Sequence, residues 1–261
     1  MAEIIGAPAA AAMVKTIFVY PIKSCRGISV SQAPITSTVI RAPGMSPLKI
    51  PLSNPSEVTD GVSVWEWSGS ALDEGAEAAM WFSTHLGKPC RLVRFSEVKE
   101  MRVVDPNYAQ GYKVMFSDGY PYLLLSQGSL NALNSFLKEP VPVNRFRPNV
   151  LVDGCEPFAE DLWKEIRINN LTFEGVKLCS RCKVPTINQE TAVAGSEPTE
   201  TLTKFRSDKA LRLNKKQQGK VYFGQNMVCS DALSRGKGKI IKVGDPVYVL
   251  KVVPSSAEAP A

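Results

Sequence analysis

The sequence has a single histidine, His85, and no second copy of its one Cys-x-x-Cys pair. A structural zinc site of the usual kind needs four Cys or His ligands, so these shortages argue against one. No run of about eighteen apolar residues occurs, which excludes a transmembrane helix of ordinary length. The alanine-rich N-terminus lacks arginine and a basic region, so it resembles neither a transit peptide nor a secretion signal.

Redox motifs are also scarce. The six cysteines are irregularly spaced over 261 residues, a pattern typical of free thiols in a reducing compartment, and we therefore expect an intracellular protein. There is neither an iron–sulfur cysteine cluster nor a G-x-G-x-x-G nucleotide fingerprint. If the chain carries out a redox reaction, its electrons must come from another protein.

The most chemically loaded segment is K-L-C-S-R-C-K-V-P-T, from Lys177 to Thr186. Alternating apolar residues precede it, and Pro185 prevents a regular helix from following, so a strand is predicted to give way to a loop here. Arg181 and Lys183 flank Cys182. Positive charge beside a thiol favours the thiolate, which attacks electrophiles and binds soft metals.

Several interpretations of Cys179 and Cys182 are open. Half of a zinc site would lack its other half, and a thioredoxin-like dithiol would open a helix, which Pro185 disfavours. Both cysteines could be partly buried as small apolar residues. The remaining interpretation is a single thiolate ligand for a soft metal.

Two further segments combine turn residues with cations. Tyr20–Gly27 places Lys, Ser and Arg between a proline and a glycine, and 144–149 (N-R-F-R-P-N) puts two arginines before a predicted strand. Amides, hydroxyls and guanidiniums on a turn form a cradle for anions, although Tyr20–Gly27 also suits an ordinary surface turn. Two guanidiniums at the entrance of a buried strand indicate an anion nearby.

Many short alternating segments and few helical patterns predict an α+β, mostly β protein with a β-barrel. Val14–Tyr20 and Ile28–Val30 are predicted strands, and Asp73 is predicted to cap a helix over 74–86 that stops at Gly87. Val62–Trp67 is predicted to be a strand with both of its tryptophans on a core face.

The net charge of +6 is concentrated at 212–220 and 235–242. No aromatic residues interleave with these lysines, so nucleic-acid binding is not expected. The two alternatives are solvated loops and a docking surface for an acidic protein.

Six short segments, taken together in their order along the chain, indicate a known family. They are Y-P-I-K-S-C-R-G at 20–27, R-F-R-P-N at 145–149, A-E-D-L-W at 159–163, C-S-R-C at 179–182, F-G-Q-N at 223–226 and V-G-D-P-V at 243–247. Together they resemble the MOSC-domain family, named for the C-terminal domain of molybdenum cofactor sulfurase. Within it they are most similar to the mitochondrial amidoxime-reducing components, especially those of plants.

The resemblance implies a smaller N-terminal MOSC-type β domain at 14–110 and a MOSC β-barrel domain at 111–253, with flexible termini at 1–13 and 254–261. It also implies the molybdenum cofactor, Mo-molybdopterin, with Cys182 as the metal ligand and catalytic residue. Cys179 would then be a bystander or a supporting residue. The positions that the resemblance assigns to cofactor binding are Lys23, Ser24, Asp118, Arg147, Asn149, Ser180 and Arg181.

The activity that the resemblance implies is reduction of small N-hydroxylated compounds such as amidoximes and hydroxylamines. Cytochrome b5 and NADH-cytochrome b5 reductase would supply the electrons. The expected compartment is the mitochondrion, with the cytoplasm as the alternative. The alternative functions are a carrier of the molybdenum cofactor or a sulfurase-related module, although no sulfurase domain is present, and an inactive shortened isoform.

The sequence departs from the family at Thr38–Arg41. Relatives continue from this point through a D-R-x-W strand whose arginine also contacts the cofactor. Here Val39 and Ile40 join directly to a segment that resembles one lying well downstream in relatives. Part of the N-terminal MOSC-type domain is therefore expected to be missing, through a splice or gene-model variant or because this member dispenses with it.

Overall fold

The computed structural model describes residues 9–31, 37–51, 53–213, 216–233 and 240–261. The strands in these ranges are Ala12–Val19 (β1), Ile28–Val30 (β2), Ser37–Ile40 (β3), Leu48–Pro51 (β4), Val58–Val64 (β5), Trp67–Asp73 (β6), Val93–Arg94 (β7), Tyr122–Ser126 (β8), Val150–Asp153 (β9), Trp163–Ile168 (β10), Leu171–Ser180 (β11), Tyr222–Cys229 (β12) and Pro246–Val252 (β13). The α-helices are Ala76–Leu86 (α1), Gln127–Asn134 (α2), Thr199–Arg206 (α3) and Asp208–Leu211 (α4). Across these ranges, no helix combines the length and apolar composition that a membrane span requires.

Seven strands close into a barrel in the order β13-β10-β11-β12-β8-β9-β1, and β2 adds to β1 outside the ring. Strand β1 pairs with β9 over most of its length and with β13 at its start, where Ala12 lies opposite Val247. The β8–β9 pair is parallel, and the other ladders of the barrel are antiparallel. The mostly β class and the barrel expected from the sequence are confirmed.

The barrel interior follows from alternation along the strands. In β11, Leu171 and Phe173 belong to the barrel core. After a register shift that follows Gly175, Val176 and Leu178 are also buried, Leu178 in a separate cluster with Tyr222 and Ala259. A side chain at Gly175 would not fit, because a Cβ there would lie 2.1 Å from the carbonyl oxygen of Trp163. Removing these apolar side chains from water is the main force that holds the ring together.

A second core lies under helices α2 and α3. It contains Leu125, Leu133, Phe146, Leu202 and Phe223, and the rings of Phe146 and Phe223 lie 4.4 Å apart. Ser126 caps α2, since its hydroxyl accepts a hydrogen bond from the backbone N–H of Ser129 at 3.0 Å. Because Phe146 is fully buried here, the two arginines on either side of it are held against the barrel.

The A-E-D-L-W segment contributes a buried charged cluster. Asp161 accepts a hydrogen bond from the guanidinium of Arg206, and both side chains are at least 96% buried. Arg206 also donates to the carbonyl of Tyr222 and lies 4.5 Å from the ring centroid of Phe158. Burial raises the pKa of Asp161 to about 6, and the positive charge of Arg206 opposes that rise.

The described residues of 37–104 and 113–119 form a smaller unit, and the rest form the larger one. The smaller unit has a β3–β4 hairpin, a sheet in the order β5-β6-β7, and α1 packed near β4. The predicted end of α1 is confirmed, because Gly87 takes a left-handed conformation with φ of 67°. The predicted cap is wrong: Asp73 ends β6, α1 begins only at Ala76, and its N-cap residue is Gly75, without a side-chain cap hydrogen bond. Asp73 instead accepts a hydrogen bond from the backbone N–H of Gly75 before the helix.

The tryptophan prediction for Val62–Trp67 is wrong. Strand β5 ends at Val64, which pairs with Trp67 at the start of β6, so Trp65 and Glu66 form a two-residue hairpin turn. Such turns need positive φ, and Trp65 has φ of 55° and is 70% exposed. Only Trp67 packs inward, 5.6 Å from the ring of Phe95.

The division of the chain differs from the predicted boundary at 110/111. Strands β1 and β2, assigned from sequence to the N-terminal domain, belong to the larger unit because they pair within the barrel sheet. The C-terminal segment predicted to be flexible packs on the same unit. Ala259 is buried, and the N–H of Leu178 donates to the carbonyl of Pro260 at 2.7 Å.

We predict that Asp161→Asn lowers the free energy of unfolding by about 3–5 kcal/mol, because it leaves the buried guanidinium of Arg206 without a charged partner. Urea denaturation followed by circular dichroism measures this. The control is Asp153→Asn, which breaks the exposed pair with Lys15 and should cost no more than about 1 kcal/mol. Equal losses in the two variants would contradict the buried-pair explanation.

Candidate functional site

Three segments of the larger unit meet around one cluster of cations. They are the turn after β1 (20–27), the segment before β9 (144–149) and the loop after β11 (180–186). The hydroxyl of Tyr20 donates to the carbonyl of Pro148 at 2.9 Å, and Arg145 donates to the carbonyl of Pro185 at 2.9 Å. Arg181 donates to the carbonyl of Phe146 at 2.9 Å. The segments that sequence analysis selected separately are therefore neighbours.

Tyr20 lies at the centre of this cluster. The guanidinium carbon of Arg147 is 4.2 Å from the centroid of its ring, a distance at which a cation–π interaction forms. Gly27 packs against the same ring, where a Cβ would lie 2.4 Å from Cε1 of Tyr20. Burial raises the pKa of Tyr20 to about 12, and the positive charges of Arg147 and Arg181 oppose that rise. Sequence analysis included Tyr20 in its motif but gave it no role.

Arg147 has an unusual backbone conformation. Its φ is 57°, in the left-handed region that ordinary residues seldom occupy, and it directly precedes Pro148. Phe146 on one side is fully buried, and the Arg147 side chain donates to the carbonyl of Cys25. Ser24, in the facing turn, is also left-handed at 64°. Strained conformations of this kind cluster at functional sites, where the surrounding structure imposes them.

Arg181 is fixed by three contacts. Its guanidinium donates to Cys179 Sγ at 3.0 Å and to the Phe146 carbonyl, and its backbone N–H donates to the carbonyl of Val221 at 2.7 Å. Its Nε is buried, and no acceptor among the described residues reaches it. Cys179 thus helps to hold the guanidinium of Arg181 in place. This contact corresponds to the supporting role, rather than the bystander role, that the resemblance allowed for Cys179.

Cys182 has different surroundings from Cys179. Strand β11 ends at Ser180, within the segment where a strand was predicted to give way to a loop, and Cys182 is exposed in that loop. The described residues give its thiol no hydrogen-bond partner. A single-turn 3-10 helix, Val184–Thr186, follows instead of the α-helix that a thioredoxin-like dithiol would open. Nor do the described ranges hold any group of three or more His, Cys, Asp or Glu side chains suited to a metal.

The other predicted site residues differ in their exposure, in their hydrogen bonds and in the unit to which they belong. Lys23 and Ser180 are exposed on the two loops of the cluster. Asn149 uses its Oδ1 to accept from the N–H of Leu123 at 3.0 Å, so its side chain keeps only the amide nitrogen for a ligand. Asp118 lies in the smaller unit, where its carboxylate accepts from the indole N–H of Trp65 at 3.3 Å.

The segment that carries Asp118 is held by Arg102, which sequence analysis missed. The buried guanidinium of Arg102 donates to the carbonyls of Met115, Ser117 and Asp118. An arginine that donates hydrogen bonds to three carbonyls of one loop fixes the path of that loop. No periodicity marks Arg102 in the sequence, so only the fold could reveal it.

The donor set suits an anionic ligand that carries a soft metal. Cys182 offers an accessible thiol, and Arg181 offers a buried N–H without an acceptor among the described residues. Guanidiniums and hydroxyls bind phosphate oxygens, and thiolate is the ligand that soft metals prefer. These residues therefore fit a metal cofactor that bears a phosphate.

Comparison with known proteins agrees with this chemistry. The family model of the MOSC domain matches residues 111–248, and that of the MOSC N-terminal beta barrel domain matches residues 36–89. The chain belongs to the MOSC-domain family, which confirms the resemblance seen in its six segments.

Within this family, the chain is similar to several amidoxime-reducing components. Mitochondrial amidoxime-reducing component 1 of Mus musculus is 31% identical, with 91% of this chain and 82% of the relative covered. Its Homo sapiens counterpart is 30% identical with the same coverage. Mitochondrial amidoxime reducing component 2 of Bos taurus is 30% identical, with 90% and 82% covered.

The alignments also show how many positions of the relatives have no counterpart in this chain. The Bos taurus alignment runs over 288 positions, whereas 90% of the 261 residues of this chain is only about 235 residues. The difference, 288 minus 235, leaves about 53 positions that no residue of this chain fills. The expected junction at Thr38 and Val39 lies within β3, where both residues pair with β4.

We predict that Tyr20→Leu lowers the molybdenum retained per chain, because it removes the ring on which Arg147 stacks. Tyr20→Phe keeps the ring and loses only the hydrogen bond to Pro148, worth about 0.5–1.5 kcal/mol of stability. Elemental analysis after gel filtration measures retention. Tyr248→Leu is the matched control, because it removes a ring that lies 5.4 Å from Arg167 elsewhere on the barrel. Equal retention in Tyr20→Leu and Tyr248→Leu would contradict the role of Tyr20.

Proposed function

We propose that this chain is a molybdenum-cofactor-dependent oxidoreductase that reduces N-hydroxylated compounds, such as amidoximes and hydroxylamines, with electrons from an external donor. The observation that carries the proposal is the Arg147–Tyr20–Arg181 cluster on the loops that also present the exposed thiol of Cys182. The names of its relatives, which are amidoxime-reducing components, supply the reaction class.

Cys182 is the proposed metal ligand and catalytic residue. Arg147, Arg181, Lys23, Ser24 and Ser180 supply cations and hydroxyls for the anionic part of the cofactor, and Asn149 supplies its amide nitrogen. The assignment of Asp118 to cofactor binding rests on the family resemblance alone. When bound, the molybdenum cofactor supplies the two-electron chemistry by which an N–OH group, with two protons, becomes N–H and water.

The protein's contribution is to hold positive charge in place before the ligand arrives. Arg147 is fixed by the carbonyl of Cys25 and the ring of Tyr20, and Arg181 is fixed by Phe146 and Cys179. Guanidiniums that are already oriented lose little conformational freedom when an anion binds. This arrangement favours tight retention of an anionic cofactor over rapid exchange.

Electrons reach the site from outside, since the sequence carries no second redox motif. We assign cytochrome b5 and its NADH-dependent reductase as donors from the family resemblance. We assign the mitochondrion as the compartment, in keeping with the names of the relatives. The basic segments 212–220 and 235–242 are the proposed docking surface. Residues 214–215 and 235–239 of this surface lie outside the described part of the chain.

We predict that Cys182→Ser abolishes reduction of benzamidoxime without changing the fold, because it replaces the thiolate with a hydroxyl that binds soft metals poorly. Turnover with an artificial electron donor, together with circular dichroism, tests this. Cys25→Ser is the control, since Cys25 is also an exposed thiol on these loops. Turnover that survives in Cys182→Ser would overturn the assignment of the ligand.

The second candidate is a carrier that binds the cofactor without redox turnover. The roughly 53 positions of the Bos taurus alignment that no residue of this chain fills favour it, because a chain that lacks residues present in its relatives can retain a cofactor and still lack turnover. An assay with NADH, cytochrome b5 and its reductase separates the two candidates. If this chain is an amidoxime reductase, it consumes benzamidoxime under these conditions. If it is a carrier, it retains molybdenum and consumes none.

A fourth prediction concerns the missing block. One charge-assisted contact to a buried anion is worth about 1.5–3 kcal/mol, so loss of the family's D-R-x-W arginine should weaken cofactor retention by roughly tenfold to a hundredfold. We expect low molybdenum content in this chain and full content after a D-R-x-W segment is inserted between Thr38 and Val39. An insertion of equal length without the arginine is the control. Equal molybdenum content in all three proteins would show that the block is dispensable.

A further inference from the structure

Three consecutive residues of the segment before β9 each form a hydrogen bond with the segment after β11. The contacts are the carbonyl of Asn144 with Nε2 of Gln189 at 2.8 Å, Arg145 with the carbonyl of Pro185 at 2.9 Å, and the carbonyl of Phe146 with Arg181 at 2.9 Å. The family resemblance gives a role in cofactor binding to Arg147 but none to Arg145, although both guanidiniums belong to the same short segment.

The segment that carries Arg145 is anchored at both ends. At its start, the side chain of Asn134 on α2 accepts from the N–H of Val141 at 2.9 Å and donates to the carbonyl of the same residue at 3.1 Å. At its end, Phe146 is fully buried in the second core. A single-turn 3-10 helix, Val143–Arg145, lies between these anchors. The side chain of Arg145 therefore extends from a backbone that the core holds in place.

Cys182 lies between two of the three contacts. Arg181, the residue before it, donates to the carbonyl of Phe146. Pro185, three residues after it, accepts the hydrogen bond from Arg145. The loop is therefore held on both sides of the exposed thiol.

The turn that follows Cys182 is closed by its own hydrogen bonds. The N–H and the hydroxyl of Thr186 both donate to the carbonyl of Lys183, at 3.0 and 2.8 Å. Pro185, inside this turn, is buried. Because the turn is a closed unit, the bond from Arg145 to Pro185 fixes the whole turn and, with it, the backbone that leads away from Cys182.

Arg145 supports the loop through a hydrogen bond that is both charged and directional. Residues that orient a metal ligand without touching the metal typically change metal affinity or activity by about 10- to 100-fold when they are removed. We propose that Arg145 is a positioning residue of this kind, which keeps the thiol of Cys182 where it meets the metal. The inference rests on the proposed function, since it takes Cys182 as the metal ligand.

Trypsin tests whether Arg145 holds the loop, because the loop contains cleavage sites after Arg181 and Lys183 and cleavage requires local opening. Arg145→Met keeps a side chain of similar length and removes every donor. We expect it to speed cleavage at these two sites about tenfold, the effect of losing one charged hydrogen bond. Arg145→Lys keeps a charged donor and should restore most of the resistance. Mass spectrometry of the fragments identifies the sites.

Gln189→Leu is the matched control, because it removes another contact between the same two segments, one that lies beyond the closed turn. It should speed cleavage after Lys183 much less than Arg145→Met does. Arg167→Met, which removes a cation from β10, should change nothing. If Gln189→Leu and Arg145→Met have equal effects, the loss of any contact between the segments loosens the loop and the proposal fails.

Turnover and molybdenum content separate a positioning role from a structural one. Arg145→Met should lower the molybdenum retained per chain and lower kcat per bound molybdenum by about tenfold or more, with KM for benzamidoxime nearly unchanged. A residue that only stabilises the fold would lower the melting temperature and leave kcat per bound molybdenum as it is. That second outcome would overturn the proposal.

Hydrogen exchange of the unchanged chain is a measurement that does not depend on whether a variant folds. The backbone N–H groups of Arg181 and Thr186 should exchange at least about tenfold more slowly than that of Glu190, which bonds to the side chain of Asn188 in an exposed turn. Equal rates would show that the loop is not held and would contradict the role of Arg145.

The trypsin and exchange measurements involve no metal, so they are independent of the reductase assignment. If Arg145→Met opens the loop while Cys182→Ser retains turnover, the hold of Arg145 on the loop is supported and the metal-ligand assignment alone is overturned. If Cys182→Ser abolishes turnover while Arg145→Met changes neither cleavage nor kcat, the role of Arg145 alone is overturned.

Discussion

The pairing of β1 with both β9 and β13 is the constraint on which the larger unit depends. Met13 lies opposite Asp153 in one ladder and opposite Pro246 in the other, so a single strand closes the ring. Closure removes the open edges that a seven-stranded sheet would otherwise present. It also carries the chain to Tyr20 at the end of β1, beside the segment that leads into β9. The site therefore exists only when the barrel is closed.

The cations of the site are stabilised mainly by backbone carbonyls and aromatic rings. Cys25 and Phe146 supply carbonyls to Arg147 and Arg181, and Tyr20 supplies a ring. Contacts of this kind orient a guanidinium without neutralising its charge, as a carboxylate would. The buried Asp161–Arg206 pair differs from these contacts, because there a carboxylate neutralises the charge of the arginine. That pair stabilises the core and leaves no charge for a ligand. The left-handed backbone of Arg147 is the cost of this orientation.

In the smaller unit, the β3–β4 hairpin runs across the position where part of the N-terminal domain was expected to be missing. Thr38 pairs with Ile50 and Val39 pairs with Lys49, so the ladder is continuous there.

Local sequence determined that a strand gives way to a loop between Lys177 and Thr186 and that α1 stops at Gly87, because both depend on neighbours in the chain. Both follow from periodicity and backbone chemistry, whereas the assignment of Cys182 as the metal ligand rests on the ordered motifs of a family and stays a prediction. The sequence predicted Trp65 wrongly, since alternation cannot show where a hairpin turns. Only the tertiary structure decided that Tyr20 joins Arg147 to Arg181, that Cys179 supports an arginine, and that Arg145 reaches the carbonyl of Pro185. These relations join residues far apart in sequence, and their distances are set by barrel closure, which no local pattern encodes.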